Sequence, residues 1–177
     1  MSKIRIKGDT SGFVDLETSA TGSNLSVTAT SVNIPGHVVQ VAQYTSAVNT
    51  SNNTTSVVQA METGTFTLKN SSNKVLVTMN CITRAVRSSA AGVRLALYRG
   101  AVADASSVKI TSGTEPQVYT TDAGTEQYAI NYLQFLDTPG AASTTYSLGF
   151  WKHPSSGEVH VMGAFLNTNI ILQEIAV

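Results

Sequence analysis

The stretch from Lys74 to Gly100, KVLVTMNCITRAVRSSAAGVRLALYRG, limits the fold more than any other part of the chain. In its first half Val75, Val77, Met79 and Cys81 alternate with Leu76, Thr78, Asn80 and Ile82. In its second half Val93, Leu95 and Leu97 alternate with Arg94, Ala96 and Tyr98. A strand sends successive side chains to opposite faces, so a period of two puts one set inside and the other outside. A helix would need apolar residues at three- and four-residue spacing, which neither half supplies. Between the halves, Arg84-Ala85-Val86-Arg87-Ser88-Ser89 reads as a polar crossing too small to bury. The stretch predicts a hairpin at the heart of an antiparallel β-domain.

The rest of the chain repeats this alternation in shorter pieces. Lys3–Lys7, Phe13–Glu17 and Asn24–Ala29 read as strands that carry too few large apolar residues to close a core. They predict a β-rich arm over residues 1–34, ended by the turn signal Ile34-Pro35-Gly36. Strands follow at His37–Tyr44, Val57–Met61, Thr65–Leu68, Val108–Ile110, Gln117–Thr120, Tyr128–Leu136, Thr144–Trp151 and Glu158–Met162. Pro154-Ser155-Ser156-Gly157 is expected to close a hairpin between the last two, and Asp137-Thr138-Pro139-Gly140 to form a turn. The apolar end, NIILQEIAV from Asn169, predicts a docked final strand. Short strands at this spacing predict an all-β fold for residues 35–177: an antiparallel two-sheet sandwich, jelly-roll-like, behind the N-terminal arm.

Composition bears on partners. Charged residues are only 12% of the chain, and Ser, Thr and Asn together make up about three residues in ten. Uncharged polar surfaces suit contact between copies, because they carry no like-charge repulsion. Eleven basic residues balance eleven acidic ones, so the chain as a whole has no electrostatic footprint for nucleic acid or an anionic membrane. No apolar run reaches the length of a membrane helix, and the N-terminus lacks the apolar stretch of a signal peptide. Cys81, the single cysteine, alternates with apolar neighbours and is expected to be a small buried hydrophobe.

Chemistry is sparse. His37, His153 and His160 form no ligand pair, although His153 and His160 would approach across the expected hairpin. Phosphate-binding, dinucleotide-binding and nucleophile-elbow motifs are missing, so neither an enzyme nor a cofactor is predicted; a glycan-cleaving pair of carboxylates is the one enzyme class left open. What remains is recognition through loops. The polar stretch Thr45–Ser56 offers Asn49, Asn52 and Asn53, Ala101–Glu115 offers Asp104, and Thr121–Glu126 offers Asp122 and Glu126. Tyr98, Tyr119, Tyr128, Tyr132, Tyr146 and Trp151 would stack on sugar rings if exposed, and otherwise pack in the core or between subunits.

Several phrases carry a resemblance: IPGHVVQVAQ, SSNKVLVTMN, RLALYRG, YLQFLDTPGAASTTYSLGFW and the closing IILQEIAV. They are similar to the C-terminal β-rich modules of bacteriophage tail-fibre and related virion proteins, especially those of marine phages of cyanobacteria. KIRIKGDTSGFVDLETSATG likewise resembles the start of phage structural proteins. The resemblance implies a virion component made in the host cytoplasm, commonly a homotrimer, whose arm joins other virion proteins. It implies recognition of a host glycan or outer-membrane protein, or else a structural decoration or connector of the head or neck. It carries over no binding residue, and the chain lacks the long shaft of many fibres.

Overall fold

The computed structural model describes residues 3–7, 13–17, 35–86, 91–102, 107–111, 118–120, 126–153 and 157–177, and these hold strands and turns but no helix. Two compact units are present, Met1–Asn33 and Ile34–Val177. In the first, β1 (Lys3–Lys7) pairs antiparallel with β2 (Phe13–Glu17), placing Ile4 opposite Leu16 and Ile6 opposite Val14.

The second unit runs β3 (Val38–Ser46), β4 (Asn49–Asn52), β5 (Val58–Glu62), β6 (Phe66–Thr67), β7 (Lys74–Val86) and β8 (Ala91–Arg99). It continues with β9 (Val108–Lys109), β10 (Val118–Thr120), β11 (Glu126–Asp137), β12 (Ser143–Thr144), β13 (Tyr146–Lys152), β14 (Glu158–Met162) and β15 (Thr168–Ile175). In one sheet β7 is central. All of β11 pairs along one edge of it, while β15 and then β14 pair end to end along the other. Outside them, β3 pairs with β15 and β4 with β14. These six strands therefore make four rows: β11, β7, β14 with β15, and β4 with β3.

The breaks in the two outer rows face each other at Gly163. A Cβ there would sit 2.5 Å from the Val48 carbonyl oxygen and 2.8 Å from that of Ser46, so the crossing admits only glycine.

The other sheet has rows β5, β13, β8, and β9 with β10 along the remaining edge of β8. Numbered by chain position, the rows run 1-8-3-6 in the first sheet and 2-7-4-5 in the second. That order is a jelly roll, in which almost every connection crosses from one sheet to the other. The expected two-sheet sandwich of jelly-roll type is what the chain forms. A small β6–β12 ladder, with Leu68 N–H donating to the Ala142 carbonyl at 2.9 Å, closes one end.

Two expected hairpins are corrected by this order. Both edges of β7 are occupied, so β8 finds no free edge beside it and joins the opposite sheet. The segment Lys74–Gly100 is thus an arch over the core. For the same reason β13 and β14 lie in different sheets, so the chain between them passes from one sheet to the other and closes no hairpin. The expected polar crossing also begins late, because β7 continues to Val86 and Ala85 is fully buried.

The core lies between the sheets. Val75, Val77, Met79 and Cys81 of β7 and Ile170 and Leu172 of β15 face Val93, Leu95 and Leu97 of β8 and Tyr146, Leu148 and Phe150 of β13. Each such side chain contributes about 1.5–3 kcal/mol on leaving water.

Candidate functional site

The connections after β4, β7, β10 and β13 gather at one end of the sandwich, because Asn52, Val86 and Glu126 share one terminal row through Val159 and Glu158. The connection after β8 leaves from the opposite end, where Gly100 N–H donates to the Thr145 carbonyl at 2.9 Å. The described ends of β4 and β11 thus lie at the opposite end of the sandwich from that of β8. Asp104 and Asp122 lie outside the described residues.

Of the others, Asn49 and Asn52 are strand residues, since Asn49–Asn52 pairs with β14. The expected loop Thr45–Ser56 is half strand, because polar side chains are tolerated in an outer row. Asn52 is buried and fully committed. Its Nδ2 donates to the carbonyls of Ser56 (2.8 Å) and Phe150 (3.2 Å), and its Oδ1 accepts from the Thr54 N–H and hydroxyl, each at 2.8 Å. It folds the turn and ties it to the other sheet. Asn49 Oδ1 accepts the Ala164 N–H at 2.9 Å, and Asn53 is exposed.

Glu126 begins β11 and accepts from Arg84, with Nε to Oε2 at 3.0 Å and a second bond from Nη2 to Oε1. The Tyr128 hydroxyl adds a third at 3.1 Å, and these donors hold its carboxyl below the usual range. Arg84 also lies over the Tyr128 ring at 5.8 Å. His160, across the register from Arg84, has Nε2 3.4 Å from Glu158 Oε2. Burial holds this imidazole below its ordinary range, against the pull of Glu158.

This cluster heads the outward face of the first sheet. By register that face carries Tyr128, Ile130, Tyr132, Gln134 and Leu136 of β11 beside Arg84, Ile82, Asn80, Thr78 and Leu76 of β7. Ile130 is 75% exposed, Tyr132 60% and Phe165 70%, and the Phe165 ring lies 6.2 Å from that of Tyr128. At its centre Asn80 Oδ1 is buried without a hydrogen-bond partner. Only β7 pairs with β11 among the described residues, and no charge or proline interrupts residues 127–136. Sheet edges left open to water are usually protected by such residues.

The aromatic residues sort by face. Tyr146 is buried, Tyr128 and Tyr132 lie on the first sheet's outer face, and Tyr98, Tyr119 and Trp151 lie on that of the second. His153 stacks edge-on against Tyr119 at 5.5 Å, so it and His160 belong to opposite sheets and do not meet. No cluster of three metal-ligating side chains occurs among the described residues. Burial raises the Cys81 thiol to about 12. We expect a thiol reagent to modify Cys81 only at the rate of unfolding; rapid reaction in native buffer would contradict its burial.

Two buried carboxylates escaped the sequence reading. Asp137 takes Arg99 and the Tyr146 hydroxyl, and Glu174 takes the amides of the turn before β7. For Glu174 a signal existed: in IILQEI it falls in the inward phase set by Ile170 and Leu172.

No protein-family model matches the chain, and no curated protein does. Among solved structures, that of infectious bursal disease virus Gt strain matches at a TM-score of 0.41 and 12% identity, covering 96% of this chain and 46% of that one. The T=1 particles derived from infectious bursal virus match at 0.41 and 11%, covering 97% and 44%. The VP2 subviral particle of infectious bursal disease virus matches at 0.40 and 11%, covering 99% and 42%. The chain spans less than half the length of each.

Proposed function

We propose that this jelly roll is a non-enzymatic virion component of the bacteriophage fibre or appendage type. It assembles as a homotrimer through the outward face and free edge of β11, joins other virion proteins through residues 1–34, and meets the host surface. The carrying observation is the twelve-residue edge strand, uncharged from Gln127 to Leu136, with Ile130 and Tyr132 exposed beside it. Large exposed apolar groups on one flat face mark protein contact surfaces. The resemblance of the chain's phrases to phage structural proteins supports the setting, and jelly rolls are frequent among capsid and lectin domains.

Light scattering on a sizing column tests the assembly. We expect three chain masses for the native protein and one for Ile130→Asp with Tyr132→Ser, with dissociation at least about 100-fold easier by the usual weight of central contact residues. The monomer should still unfold cooperatively, because Ile130 contributes little to its own fold, and should melt lower only by what association adds at that concentration. A native monomer would sink the trimer, and a double variant that remains trimeric would move the interface elsewhere.

A further inference from the structure

The outward face of the second sheet carries a different arrangement. On β8 the side chains of Val93, Leu95 and Leu97 enter the core, so Arg94, Ala96 and Tyr98 face out. On β13 the inward set is Tyr146, Leu148 and Phe150, leaving Ser147, Gly149 and Trp151 outside. The register sets Arg94 directly across from Trp151. Both are half-buried.

Arg94 has no carboxylate partner among the described residues, and its Nε is buried without a hydrogen-bond partner. A sealed, unsatisfied donor ordinarily costs about 1–3 kcal/mol, so its presence calls for an acceptor that the described residues do not supply. Trp151 has Lys109 Nζ 5.0 Å from its ring centre. Tyr98, on the same face, lies over Gly149, where a Cβ would meet its ring at 2.6 Å. At the other end Tyr119, opposite Gly92, is 42% exposed and stacks with His153. The face from Gly92 to Tyr98 spans roughly 20 Å at the usual rise per strand residue.

The charge on this sheet is mostly positive. Its described strands carry Arg94, Arg99, Lys109 and Lys152 against one carboxylate, Glu62 of β5, which lies across from Ser147 and accepts from Gln59. Arg99 is bound to Asp137, so Arg94 and Lys109 are the cations beside Trp151. An aromatic ring takes the apolar face of a pyranose, while a guanidinium fork takes a carboxylate in two parallel hydrogen bonds.

We propose that this face binds an acidic oligosaccharide, with Trp151 as the stacking platform and Arg94 as the anchor of a uronate carboxylate. The inference deepens the host-recognition part of the proposed function and rests on it for its setting. Self-association is read by mass and saccharide binding by fluorescence, so the failure of one is distinguishable from that of the other.

Trp151 is the only tryptophan, so its emission reports directly on the site. Titration of the full chain with oligogalacturonate should give a saturable change. The fully methyl-esterified oligomer, which keeps the rings and loses the charge, should bind at least tenfold more weakly. Arg94→Met should weaken oligogalacturonate binding at least tenfold with an unchanged melting curve, and Arg94→Lys should recover only part of it. No saturable change with oligogalacturonate would overturn the site, as would equal binding of the esterified oligomer or native affinity in a folded Arg94→Met. An equal response to inorganic phosphate or oligothymidylate would replace it with a general anion or nucleic-acid surface.

Discussion

Asp137→Ala is expected to lower the unfolding free energy by about 3 kcal/mol, the scale for removing one partner of a buried ion pair. Asp137 is 3% exposed at the last position of β11. It accepts from Arg99 Nε at 2.8 Å, from Arg99 Nη2, and from the Tyr146 hydroxyl at 2.9 Å. Arg99 and Tyr146 belong to β8 and β13, so one carboxylate fastens the first sheet to the second. Alanine would strand the hydroxyl of a fully buried tyrosine, whose ionisation is driven upward first by burial and then by the Asp137 charge. The Arg99 side chain keeps 27% of its exposure and can turn to water, which holds the loss below the upper end of the range. Asparagine should fare little better, because its amide would present a donor to one of three donors. Tyr146→Phe alone should cost about 1.5 kcal/mol, the low end for a hydrogen bond to a charged group, since Arg99 still serves the carboxylate. Urea unfolding of the two single variants and the double, at one protein concentration, closes the cycle. A coupling indistinguishable from zero would mean that the hydroxyl and carboxylate do not act together.

The sequence made the strands legible because alternation is local. Val75 to Cys81 and Val93 to Leu97 each declare an inward set without reference to any other strand. It left the sheet partition illegible, since a turn such as Pro154–Gly157 serves a hairpin and a sheet-to-sheet arch equally well. What decides between them is whether the preceding strand has a free edge, a property of the whole topology. The place of Asn52 was illegible for a related reason. An asparagine in a polar stretch can present its amide to a ligand or fold it back onto its own turn, and Asn52 does the second. Tyr98, Tyr119 and Trp151 were noticed as residue types, but their sharing of one face with Arg94 depends on the pairing of β8 with β10 and β13.

Glu174→Ala should cost about 3 kcal/mol at neutral pH and progressively less in acid, on the scale of several lost bonds to a charged acceptor. The side chain is fully buried in the inward phase of β15, beyond Ile170 and Leu172. Its Oε1 accepts the Lys69 N–H at 2.8 Å, the Asn70 N–H at 3.2 Å and Asn73 Nδ2 at 2.7 Å, while Oε2 takes Gln40 Nε2 at 2.6 Å. Burial alone would raise its pKa, but the amides of Lys69 and Asn70 with Asn73 and Gln40 outweigh it and hold the carboxyl below the ordinary glutamate range. A depressed folded pKa gives stability that is present above the unfolded value, about 4.3, and is lost as pH falls through the lower folded value. The gap between native and Glu174→Ala should therefore be constant above about pH 5.5, where either state is ionised, and should narrow below about pH 4. Glu174→Gln separates charge from shape. Its oxygen can serve the three donors of the turn, but its amide then faces Gln40 Nε2, which also donates to the Thr67 carbonyl at 2.7 Å and cannot turn without losing that bond. Its loss should fall between those of the native and alanine chains and show no narrowing from this site. If the alanine difference stayed flat from pH 6 to pH 3, the carboxylate would not be the ionised acceptor of the turn, and its hold on Lys69 and Asn70 would have to be that of a neutral acid.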